Sequence, residues 1–164
     1  MSPLGEHERY KKRFSLLLEV MMLDFHIPFA GYGSTTFKAE ELMRGLEPDE
    51  CYYIAHEAVV RDKDRFDLNV DPPPDLVLEM DITHRAIDRE SIYAAMGVPE
   101  IWKYDGTDFE CLLLNDRREY DICDTSRSFP FLRPAELLPF VRSTGVSENE
   151  MVRAFRDWAK QLPR

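Results

Sequence analysis

The chain has 164 residues, 44% hydrophobic and 12% aromatic, enough to bury the core of one domain and short of two. A formal net charge of −10 argues against a broad affinity for phosphate backbones, so any nucleic-acid contact has to be local. Three cysteines without metal-ligand spacing argue against a disulfide framework or zinc site; the start, MSPLGEHERYKKRF, lacks a signal-peptide core, and no apolar run reaches the roughly 18 residues of a membrane span, which together predict a cytoplasmic protein.

From Glu6 to about Phe25, apolar residues at Tyr10, Phe14, Leu17, Leu18 and Met21 predict a helix with one buried stripe, ended by His26-Ile27-Pro28. GYGSTTFKA reads as a strand, EELMRGLEPDE as a loop and CYYIAHEAVV as a second strand. RDKDRFDLNVDPPP is charged and closes on three prolines, which cannot join a central ladder, so it is a surface connection. PDLVLEMD is the third strand. HRAIDRESIYAAMG changes to helical spacing, with Ile87, Ile92, Ala95 and Met96 on one face and Gly97 as the C-terminal cap. PEIWKYD returns to strand, and DFECLLLNDRREYDIC gives two strands joined at Asn115-Asp116. The remainder is helical and proline-bounded, PAELLPFVR and ENEMVRAFRDWAKQL. The predicted fold class is α/β or α+β, a central sheet flanked by helices in a single domain over 1–164, with a core of about 2–123 and a helical tail over 134–162.

The strand PDLVLEMD carries the chemical question. Alternation puts Leu76, Leu78 and Met80 on one face and Asp75, Val77, Glu79 and Asp81 on the other. Glu79 and Asp81, about 7 Å apart at Cα, can converge on one point, whereas Asp75 lies about 13 Å from Glu79. Buried carboxylates are paired or hold a metal, and hard oxygen donors suit Mg²⁺ or Mn²⁺. An edge strand with a solvated acidic face is the competing reading. Asp49 and Glu50 form a second acidic pair, although Gly45, Pro48 and Asp49 are also ordinary turn residues. Arg85, Arg89 and Tyr93 follow one another by helical turns, so a guanidinium can return toward Glu79 and Asp81. His7 is a further candidate, while His26, His56 and His84 read as structural. No G-x-S-x-G elbow, phosphate loop or dinucleotide fingerprint is present.

PDLVLEMDIT, then IYAAMGVPEIWKYDG, preceded by GSTTF and GLEPDECYYI, resembles the Uma-two family of restriction endonucleases over about residues 2–106. The resemblance implies the PD-(D/E)XK fold, in which carboxylates on adjacent strands hold a divalent ion. It implies Asp49 as the first aspartate and Glu79 as the glutamate of the second motif, both metal ligands, with Asp81 a further ligand where the superfamily often has lysine. The catalytic lysine, displaced in this family to four residues before the tyrosine, is Arg89 here; arginine keeps the charge but cannot act as a base, and Lys103 is the substitute to consider. Members carry a further N-terminal segment before the MSP motif, which leaves a truncated or misassigned start open. The implied activity is a Mg²⁺-dependent endodeoxyribonuclease acting on DNA, with catalytic Asp49, Glu79 and Arg89, support from Lys103 and His7, no membrane partner and a homodimer left open. The alternative is a decayed nuclease fold serving as a nucleic-acid-binding or protein-interaction module.

Overall fold

The computed structural model of the chain describes residues 3–39, 42–82 and 88–164. Helix α1 spans Pro3–Asp24, and its Phe14, Leu17, Leu18 and Met21 are almost fully buried. They pack on Leu76, Leu78, Met80 and Trp102, so the apolar stripe read from the sequence is the face that meets the sheet. The chain then turns through a left-handed His26 (φ 55°), and the Ile27 N–H closes on the Met22 carbonyl at 2.8 Å.

Two short strands follow, β1 (Ala30–Gly31) and β2 (Phe37–Ala39), and then β3 (Leu42–Leu46) and β4 (Glu50–Tyr53). The segment GYGSTTFKA is therefore not one strand: a turn at Gly33-Ser34 splits it, β1 joining the main sheet and β2 pairing with β3 in a separate two-stranded ladder. The run read as a loop after Ala39 contains β3; its charged and turn-forming residues masked a strand that pairs only with its immediate neighbour. CYYIAHEAVV likewise divides, its first residues in β4 and Glu57–Val60 in a single helical turn, α2. The charged, proline-closed connection after it carries no strand, and its Phe66 stacks on Tyr53.

Strand β5 is Leu76–Met80, followed by helix α3 (Arg89–Met96) and strands β6 (Glu100–Tyr104), β7 (Phe109–Leu114) and β8 (Tyr120–Cys123). The six-stranded sheet runs β1-β4-β5-β6-β7-β8. Only β5 and β6 are parallel, joined by the crossover that contains α3, as a parallel pair requires. Asp88 caps α3 by accepting the Ser91 N–H at 3.0 Å, and Gly97 ends it in the left-handed conformation at φ 80°. Residues 83–87, including Arg85 and Ile87, lie outside the described residues. All five residues of β5 are buried, which removes the solvated-edge reading of this strand. One sheet face meets α1. The other, with Tyr53, Val77, Ile101 and Leu112, is covered by Tyr93 and Val98 from α3 and its cap.

Strands β7 and β8 form the expected hairpin, but its connection is longer than an Asn-Asp dipeptide: it runs from Asn115 to Glu119, with Arg118 at φ 64°. Beyond it, a 3-10 turn at Pro134–Leu137 leads into α4 (Leu138–Val141) and α5 (Glu148–Ala159). Ser147 and Glu150 make a reciprocal capping box at the start of α5. Leu137, Val141, Met151, Phe155 and Ala159 enter the same core as α1 and β5, and the Arg13 guanidinium ties α1 to the Val141 and Ser143 carbonyls at 2.8 and 2.7 Å. Among the described residues no helix is long and apolar enough to cross a membrane.

Candidate active site

Glu79 sits one residue from the end of β5, on the face covered by α3, with 8% of its surface exposed. A carboxylate so placed needs partners, and α3 supplies them. The Arg89 Nε and its terminal nitrogen lie 3.1 and 2.9 Å from Oε1, and the Tyr93 hydroxyl donates to the same oxygen. Arg89 and Tyr93 are one helical turn apart, so the sequence spacing that sets them on one face of α3 also makes a two-residue clamp. Arg89 donates further to the Glu47 backbone carbonyl. Among the described residues, all three donors to Glu79 use Oε1.

Burial raises the Glu79 carboxyl to about 7, against the Tyr93 hydrogen bond and the Arg89 charge, with Asp49 adding to the rise. Asp49 thus belongs to the same electrostatic site. It immediately precedes β4, and its Oδ2 accepts the Met80 N–H at 2.7 Å, binding it to the end of β5. Its Oδ1 lies 3.1 Å from His7 Nε2, in the first part of α1, and the other ring nitrogen of His7 lies 3.3 Å from Glu8. Glu50, the second member of the acidic pair, turns instead toward α1, 3.4 Å from the Ser15 hydroxyl; burial raises its carboxyl.

Lys103 stands directly beside Glu79 in the parallel β5–β6 register, and its ammonium pairs with Glu90 at 3.3 Å. Asp81 follows β5; its N–H donates to the Tyr104 carbonyl at 2.9 Å and its carboxylate acts on Lys103. The structure does not gather Asp81 with Asp49 and Glu79: among the described residues no three His, Cys, Asp or Glu are grouped to hold a metal ion. Asp75, at the far end of the strand, accepts the Ile54 and His56 N–H groups at 2.7 and 3.0 Å and pairs with the His56 ring. It fastens the turn after β4 and stands apart from Glu79.

The site therefore combines Asp49, Glu79, Arg89, Lys103 and His7 from the sequence reading with Tyr93, whose hydroxyl bond to Glu79 that reading missed. The signal was its four-residue spacing from Arg89. Also missed was the carboxylate of Glu100, which is fully buried on β6 and accepts from Trp102 Nε1, the Ser126 hydroxyl and the Ser128 N–H at 2.7–2.8 Å, which makes it a structural staple.

The donor set fits a hard divalent cation. Mg²⁺ is commonly held by one or two carboxylates together with substrate phosphates, and here Asp49 and Glu79 are two carboxylates within electrostatic reach of each other. The site lies at the carboxyl ends of the parallel strands β5 and β6, the end at which open α/β sheets place their ligands. A sequence model of the family described as "Uma2: Putative restriction endonuclease" matches residues 1–147. No curated protein matches the chain.

Proposed function

The chain belongs to the Uma2 family, a restriction endonuclease family with the nuclease-like function that description carries, and on that premise we propose that it is a Mg²⁺- or Mn²⁺-dependent endonuclease hydrolysing DNA phosphodiester bonds. The observation that supports this best is the paired setting of two carboxylates at one end of β5, Glu79 clamped through Oε1 by Arg89 and Tyr93 and Asp49 anchored on the Met80 N–H. Asp49 and Glu79 would hold the ion. When bound, it supplies a Lewis acid for the scissile phosphate and an attacking water of lowered pKa. The protein's own groups do the rest. The Met80 N–H and His7 fix the Asp49 carboxylate, and Arg89 and Tyr93 fix that of Glu79, so little reorganisation is required as charge develops on the phosphate. Arg89 retains its proton throughout and acts by charge and orientation; Lys103, beside Glu79 on the neighbouring strand, supplies a further positive charge.

Incubating the protein with supercoiled plasmid and with single-stranded DNA, under Mg²⁺ or Mn²⁺, tests the reading. Wild type should cleave, Glu79→Gln and Asp49→Ala should not, and Arg89→Ala should be more severely impaired than Lys103→Ala. DNA retained without cleavage under either ion would favour the decayed, binding-only module instead.

A further inference from the structure

The β7–β8 hairpin sets Cys111 directly opposite Cys123. The Asn115 N–H donates to the Glu119 carbonyl at 2.8 Å, and hydrogen-bonded pairs recur every second residue along an antiparallel ladder. Cys111 and Cys123 therefore form a bonded pair with Cα atoms about 5.5 Å apart. That separation falls within the range of about 4.4–6.8 Å found for disulfide-linked residues, but the Cβ atoms of a hydrogen-bonded pair, about 5.5 Å apart, stand beyond the roughly 3.5–4.5 Å of a relaxed disulfide, so the bond closes under strain and is correspondingly easy to reduce. Residues directly opposite each other project to the same sheet face. Both cysteines also line one open pocket of about 440 Å³, together with Arg133, Glu136 and Pro139. Both are free thiols, Cys111 buried and Cys123 partly exposed. Cys51 is fully buried on the opposite face of the sheet, so it cannot compete for either.

We propose that Cys111 and Cys123 are an oxidation site, forming a reversible cross-strand disulfide when the protein meets a low-molecular-weight disulfide such as oxidised glutathione. Burial pushes the Cys111 thiol up and keeps it protonated, so the partly exposed Cys123 reacts first. Its thiolate attacks one sulfur of the oxidant, forming a mixed disulfide and releasing one small thiol. Cys111 then loses its proton and attacks the Cys123 sulfur, expelling the second small thiol. Two protein thiols are oxidised and one disulfide is reduced to two thiols, which balances the exchange. The fold should survive, because Glu100 keeps its Trp102, Ser126 and Ser128 donors when the Cys111 sulfur, 3.6 Å from its Oε1, turns away.

Titrating the full chain with oxidised glutathione and reading intact mass, with peptide mapping under non-reducing conditions, tests this. Wild type and Cys51→Ser should lose the mass of two hydrogens and yield a linked peptide joining residues 111 and 123, reversed by dithiothreitol. Cys111→Ser should stop at one glutathione adduct on Cys123. Wild type that accumulates only the glutathione adduct, or that keeps all three thiols while folded, would overturn the proposal.

Discussion

Glu79 is the residue on which the acidity of the candidate site turns. Its carboxyl is raised by burial from 4.5 to about 7, so the folded chain binds a proton that the unfolded chain has released between those values. The resulting stability is fully present below about pH 4.5 and is lost as pH rises through about 7. A shift of this size corresponds to about 3 kcal/mol. Urea unfolding of the metal-free protein at pH 5 and pH 8 should show that loss, and Glu79→Gln should flatten it; equal slopes in both proteins would assign the pH dependence elsewhere. Tyr93→Phe removes a bond that lowers the same carboxyl, so its inflection should move to higher pH while stability falls by about 1–2 kcal/mol. Glu79 was legible in the sequence because a carboxylate between Leu78 and Met80 demands a partner. His7 was a weaker signal, since nothing local in α1 marks the residue that reaches Asp49, which lies far along the chain and meets it only through tertiary packing.

Helix α1 and strand β5 are the elements that hold this arrangement, and they share the apolar core formed by Phe14, Leu17, Leu18 and Met21 with Leu76, Leu78 and Met80. Leu17→Asp places an unpaired charge where nothing is exposed, and should destabilise by about 3 kcal/mol or more; a soluble variant with an unchanged melting curve would mean that α1 packs elsewhere. Elements with an uninterrupted period were readable: the 3.6-residue stripe of α1, the alternation of β5, and α3 between Asp88 and Gly97. The stretch from Gly31 to Val60 was not. Its glycines, Pro48 and scattered charges break every period, and its strands are two to five residues long, so pairing across space decides them and local preference does not. The same limit applied to Glu100, whose strand PEIWKYD is legible but whose staple depends on Ser126 and Ser128 from a loop beyond the hairpin.

At the level of the whole molecule, the C-terminal elements complete the layer that α1 begins. A chain ended after Asp124 would lose Leu137, Val141, Met151 and Phe155 from the core, and with Ser126 and Ser128 the loop donors to Glu100. Such a truncation should show no cooperative urea transition and a collapsed near-ultraviolet circular dichroism signal; a truncated chain that unfolds cooperatively would make residues 134–162 an accessory tail.

The turn from Asn115 to Glu119 gives the protein a natural handle. Because β7 runs antiparallel to β6, with Glu100 beside Leu113 and Tyr104 beside Phe109, that turn projects from the opposite end of the sheet to Glu79 and Asp49. Its residues Asp116 and Arg117 are exposed, and exposed turn tips are where added sequence is best tolerated. A fluorophore or an immobilisation peptide spliced between them would leave the end of the sheet that carries Asp49 and Glu79 unobstructed, so that a tethered molecule could be challenged with long DNA without the anchor standing in its path.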